Sequence, residues 1–117
     1  MEFRELNEQE IWCVIQQSSY VNLGLSDNNM PYIVPMYFEI ERNTPKSIKL
    51  FSKPHGRKIL CMANNEHVVL EFMCKNKNKV KSVIAFGVAT MNSCQNEKGI
   101  IKIVVKISYM TGREYLL

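Results

Sequence analysis

The stretch YVNLGLSDNNMPYIVPMYFEI, from Tyr20 to Ile40, decides the fold class. Extended sequence runs through Tyr20, Val21 and Leu23 to Leu25. Ser26-Asp27-Asn28-Asn29 then interrupts it with residues whose side chains bond their own backbone and favour turns. Extended sequence resumes from Pro31 to Ile40. A second turn signal follows at Asn43, Thr44 and Pro45, and a third extended run spans Ser47 to Ser52. Three strands joined by two short connections predict an antiparallel meander.

Towards the C-terminus, Lys53, Pro54 and Gly56 break the strand. A short helix is expected from Arg57 to Ala63, stopping at Asn64-Asn65. His67 to Met73 is a further strand, and the polar tract KNKNKVK, Lys75 to Lys81, is expected to be loop. Val83 to Met91 and Ile100 to Tyr109 complete the strands, joined through Asn92 to Gly99. Towards the N-terminus, Asn7 followed by Glu10 has the spacing of a capping box. Ile11, Val14 and Ile15 then recur at i, i+3 and i+4, so a helix is expected from Glu8 to Gln17. The sum is about six strands and two helices, without alternation of strand and long helix. The expected fold is all-β, with two short helices on a six-stranded antiparallel barrel. No repeat or linker divides the chain, and residues 1–117 are read as one domain.

Composition narrows the function classes. The 117 residues are 46% apolar and 22% charged, which are ordinary globular values. Apolar runs fall far short of the ~20 residues that span a bilayer, and MEFRELNEQE is too acidic for a signal peptide. The net charge of +4 points weakly to an anionic partner. Cys13, Cys61, Cys74 and Cys94 lie far apart and form no C-x-x-C pair. With only His55 and His67 as histidines, metal-ligand spacing is absent. These thiols read as reduced cysteines of a cytoplasmic protein. No Walker loop, G-x-G-x-x-G, G-x-S-x-G or Cys–His dyad occurs, so no residue is assigned a catalytic role. Hard chemistry would then fall to a cofactor.

Three local features bear on that cofactor. Phe51-Ser52-Lys53-Pro54-His55-Gly56-Arg57-Lys58 joins a strand end to a helix start, with no acid between Lys46 and Asn65. Cations in a first helical turn oppose the helix dipole by ~0.3–1 kcal/mol, and a bound anion would reverse that sign. The alternative is a solvated basic turn. Pro35 interrupts a strand, which fits an edge position that leaves peptide groups for other partners. Gly87, inside Ser82 to Ala89, fits a bulge or a close backbone approach. The lysines at 75, 77, 79 and 81 lack interleaved aromatic residues and read as a solvated loop, not a nucleic-acid site.

The ordered motifs L-G-L-S-D-N, P-Y-I-V-P, F-S-K-P-H-G-R-K-I, S-V-I-A-F-G and M-T-G-R resemble the pyridoxamine phosphate oxidase-like flavin-binding proteins. The resemblance runs from Trp12 to Arg113 and is closest to the branch of nitroimidazole-resistance and nitroreductase-like proteins. It implies a split β-barrel that forms a homodimer and binds FMN near the dimer interface. Ile33, Val34, Pro35 and Met36 would lie along the isoalloxazine, mainly through backbone contacts. Phe51 and Ser52 would lie beside the flavin and its ribityl-phosphate chain, and Arg57 and Lys58 would hold the phosphate. The implied activity is an oxidoreductase passing electrons from NADH or NADPH through FMN to a small acceptor. A flavin carrier without efficient catalysis, or a barrel for haem or deazaflavin, remains open.

The chain departs from that pattern in three places. Phe51 stands where many relatives carry histidine. The Cys74–Val80 loop is short and lacks a tryptophan-bearing segment, and the Asn92–Gly99 connection lacks an inserted helix.

Overall fold

The computed structural model describes residues 2–41, 46–92 and 99–116. In chain order its elements are β1 (Phe3–Glu5), α1 (Glu8–Gln17), β2 (Val21–Asp27), β3 (Met30–Met36), β4 (Phe38–Glu41), β5 (Ser47–Ser52), α2 (Arg57–Asn64), β6 (His67–Asn76), β7 (Lys79–Asn92) and β8 (Ile101–Leu116). The expected turn at 43–45 and most of the 92–99 connection, with Cys94, lie outside the described residues.

Local chemistry sets the first elements. Asn7 Oδ1 accepts from the Glu10 backbone N–H at 2.9 Å, and the Glu10 carboxylate accepts from the Asn7 N–H at 3.1 Å. Helix α1 therefore starts where the capping box places it, and buries Ile11, Val14 and Ile15. Asn28 and Asn29 both adopt positive φ, at 50° and 68°. That pair of left-handed residues is what a two-residue type I′ hairpin needs, and it pairs Asp27 with Met30.

One antiparallel sheet runs β3-β2-β6-β7-β8-β5-β4, with β1 added beside β8. The ends of this path, β3 and β4, are separated in sequence by Tyr37 alone. The sheet must therefore curl until its two edges meet at that residue. Across the interior, the Phe38 ring of β4 meets the Phe72 ring of β6 edge-to-face, with centroids 5.0 Å apart. Among the described residues no ladder joins β3 to β4, so the barrel is split rather than closed by hydrogen bonds.

The strand count corrects the expected six to eight among the described residues. The run from Pro31 to Ile40 is two strands, because the chain turns from one sheet edge to the other at Tyr37. Strand β1 is new; all three of its residues are exposed, so it carries no alternating pattern. The lysine tract is not a loop. β6 continues to Asn76 and β7 begins at Lys79, leaving a two-residue turn in which Lys77 takes a φ of 56°.

The last strand extends past Tyr109 to Leu116. Its buried positions are Ile101, Ile103, Val105 and Ile107, then Gly112. The phase changes because Gly87 pairs with Ile107 while Phe86 pairs with Tyr109, so Ser108 is an extra residue in the bulge. Gly87 is required there. A Cβ would lie 2.5 Å from the Lys106 carbonyl oxygen. The core inside the curl includes Ile15, Leu23, Leu50, Leu70, Phe72 and Ile103, all fully buried. Each such side chain contributes roughly 1.5–3 kcal/mol of burial, before the entropy of ordering it.

Candidate functional site

The curl brings the edge strand β3, the end of β5 and the start of α2 together. Among the described residues strand β3 pairs with β2 alone, which suits Pro35. Alternate peptide groups of β3 therefore face away from the ladder. β5 ends at Ser52, whose buried hydroxyl donates to the Lys53 carbonyl at 2.8 Å. The chain then turns through Pro54 and His55 to Gly56, the N-cap of α2. Gly56 has φ 114° and ψ 177°, a region open in practice only to glycine, and it supplies no side-chain cap. The first N–H groups of α2 thus keep unused donor capacity, and its first turn carries no acid.

Between these elements lies a groove of about 620 Å³. Val34, Pro35, Met36, Tyr37, Phe38 and Phe51 form its apolar lining, and Ser52, Lys53, His55 and Lys58, consecutive with the start of α2, its basic part; Glu39 also lines it. Among the described residues, neither Lys53 nor Lys58 enters a salt bridge. The volume lies within the ~300–1,000 Å³ of ordinary ligand sites. A planar ligand with an anionic tail matches this arrangement of apolar walls and one cationic end.

Six of the eight expected residues line this groove: Val34, Pro35, Met36, Phe51, Ser52 and Lys58. Two do not. Ile33 is 64% exposed and lines a separate apolar groove of about 540 Å³ with Tyr32, Val69 and Phe86. It pairs with Gly24 of β2, which also lines that second groove. Arg57 turns towards the β2–β3 hairpin. Its Nε donates to Asp27 Oδ2 at 3.0 Å, and its guanidinium lies 4.8 Å from the Tyr32 ring centroid.

Tyr37, Phe38, Glu39 and His55 line the groove without having been singled out as site residues. For Tyr37 a signal existed, an aromatic residue two positions after an edge-strand proline. For Glu39 none did, because its place depends on the split at Tyr37.

No protein-family model matches the sequence, and no curated protein does either. Solved structures do. An FAD-binding protein from Mesorhizobium loti superposes with a TM-score of 0.85 at 20% identity, covering 98% of this chain and 99% of the other. A candidate 5-nitroimidazole antibiotic resistance protein from Bacteroides thetaiotaomicron gives 0.82 at 20% identity, covering 97% and 89%. A candidate pyridoxamine 5'-phosphate oxidase from Corynebacterium glutamicum gives 0.80 at 21% identity, covering 99% and 100%. The chain shares their fold. That is the split barrel implied by the sequence resemblance, and at these identities the match carries architecture and not chemistry.

Proposed function

We propose that the protein binds FMN in the groove between β3, β5 and α2, and acts as an oxidoreductase. Electrons would pass from a reduced nicotinamide to a small acceptor. The observation that carries this reading is the groove itself, with apolar walls beside an unpaired strand edge and a cationic end at an uncapped helix start. The FAD-binding description of the Mesorhizobium neighbour supports a flavin. A terminal phosphate monoester, as in FMN, would present three oxygens on one phosphorus to Lys53, Lys58 and the α2 N–H groups, where each phosphorus of FAD's diphosphate presents two.

A bound flavin supplies the redox chemistry. The chain's own work is to hold and orient it: peptide groups of Val34 to Met36 would meet its polar edge, Phe51 and Pro35 would cover its rings, and Lys58 would hold its phosphate. No side chain is assigned as acid or base, and protons come from solvent.

We infer a homodimer as the working state. The outer face bearing Tyr32, Ile33 and Phe86 is apolar, and Phe86 stacks on the exposed Tyr109 with centroids 4.7 Å apart. A second copy would cover it. Free thiols at Cys13, Cys61 and Cys74 suit a reducing cytoplasm, and no described helix is long and apolar enough to cross a membrane.

The test is an absorption spectrum of the purified protein before and after FMN addition and desalting. Co-eluting flavin at one per chain, followed by saturable NADH or NADPH oxidation with an acceptor, is the expected result. Retained flavin without turnover on any acceptor would leave a flavin carrier. No retained flavin would overturn the reading.

A further inference from the structure

Helices α1 and α2 bury their apolar residues in the core, Ile11, Val14 and Ile15 from one and Cys61 and Met62 from the other. Along each strand, the residues between the core positions face outward. The ladder registers align these outward residues in rows across β3, β2, β6, β7 and β8. One row runs Ile33, Gly24, Val69, Phe86, Tyr109. The next runs Pro35, Asn22, Glu71, Ile84, Thr111.

The first row is apolar, yet Ile33 is 64% exposed and Tyr109 58%. Inside the second row, Asn22 Nδ2 donates to Glu71 Oε1 at 3.1 Å, in a partly buried pair. This bond fixes the Asn22 amide, because a carboxylate only accepts. It uses one Nδ2 hydrogen and one carboxylate oxygen. Among the described residues, neither side chain enters another hydrogen bond or ion pair. One donor and one acceptor are left over, side by side between apolar neighbours.

A donor beside an acceptor is its own complement under a two-fold axis, where the same patch meets itself. An axis lying between two such faces, along the strands and between β2 and β6, sets β2 against the partner's β6 and β3 against the partner's β7. Asn22 then meets the partner's Glu71, Ile33 meets the partner's Phe86, and Pro35 meets the partner's Ile84. Polar falls on polar and apolar on apolar. The strands of the two sheets stay roughly aligned, which is the ordinary arrangement of packed sheets.

We propose that the homodimer axis runs between β2 and β6, and that Asn22 of each copy donates its second Nδ2 hydrogen to the partner's Glu71. The occupant of this face is a second copy of the chain. The placement rests on the homodimer reading above, and the reciprocal pair adds its register.

Sedimentation equilibrium of the full chain gives the dimer dissociation constant. Asn22→Ala and Glu71→Ala should each weaken the dimer about a hundredfold. The axis counts each contact twice, and a charge-assisted bond is worth about tenfold or more. Mixing the two variants tests the contact itself. In the mixed dimer one contact is Asn22 on Glu71 and the other is alanine on alanine. It should therefore form about tenfold tighter than either variant's own dimer, and native mass spectrometry should find it above its statistical share. Should an alanine variant fold poorly, serine, also too short to span the contact, replaces it at the same position. A mixed dimer at its statistical share shows a pair that acts only within its own chain. A dimer insensitive to both substitutions has its interface elsewhere. Either result overturns the axis and leaves the homodimer standing. A chain that stays monomeric at every concentration overturns the homodimer, and the axis with it.

Discussion

Arg57 Nε donates to Asp27 Oδ2 at 3.0 Å, across thirty residues of sequence, while its guanidinium lies over Tyr32. The neighbouring Lys58 lines the groove between β3, β5 and α2 instead. Consecutive helical residues point in different directions, so one basic pair serves two places. The Arg57 side chain is 61% exposed and that of Asp27 32%, so the pair is worth ~0–1 kcal/mol to stability. Its consequence is for binding. Asp27 competes with any anion for Arg57 and adds negative charge beside the site. Asp27→Asn should therefore tighten FMN several-fold without a large change in melting temperature. Flavin fluorescence titration checks this, and weaker binding in the variant would contradict it.

The same geometry ranks the two cations. Lys58 is expected to carry more of the phosphate interaction than Arg57. Lys58→Ala should weaken FMN by tenfold or more, within the ~1.5–3 kcal/mol of a charge-assisted bond. Arg57→Ala should cost less, because its guanidinium is already occupied. The comparison is made at low and moderate salt, where the Lys58 effect should shrink as screening grows. A larger loss for Arg57 would mean that the phosphate draws Arg57 away from Asp27.

Gly56 sets where both cations stand. Its φ of 114° with ψ 177° lies in a region that costs a side-chain-bearing residue ~1–3 kcal/mol. Space is not the constraint, since a Cβ there would meet nothing within 4 Å. Gly56→Ala should therefore lower stability by an amount in that range and weaken FMN at the same time. The α2 N-terminus must rotate to relieve the strain. Chemical denaturation with and without FMN measures both effects, and an Ala variant as stable and as tight-binding as the parent would contradict the account.

These positions show what the sequence could and could not reveal. Helix α1 was legible because its signal is local: Asn7 and Glu10 are three residues apart and bond each other. The edge character of β3 was legible because Pro35 removes a donor whatever surrounds it. The split at Tyr37 was not, since the extended run from Pro31 to Ile40 carries no turn signal at Tyr37 and the break there is set by curling of the whole sheet. The C-terminal half of β8 was hidden by the bulge at Ser108, which reverses the alternation. Ile33 and Arg57 fell outside the groove for related reasons. Ile33 sits opposite Gly24 in the second groove, and a partner thirty residues away draws Arg57 aside.

The N-terminal cap gives a prediction in pH. Arg4 donates to both Glu10 carboxylate oxygens, at 3.2 and 2.8 Å, and the Asn7 N–H donates to one of them at 3.1 Å. The Arg4 hydrogen bond first, and the Asn7 N–H second, lower the Glu10 carboxyl from 4.5 to about 2. A lowered value means that folding favours the charged form. The contribution is complete above pH 4.5 and disappears as pH falls towards 2. Glu10→Gln removes the charge but keeps an oxygen able to close the capping box. The melting temperature of the parent should therefore exceed that of the variant by a constant margin near neutrality. That margin should close between pH 4.5 and 2. A margin unchanged at the acid end would show that the side chain acts through packing, and that the Arg4–Glu10 pair carries no net stabilisation.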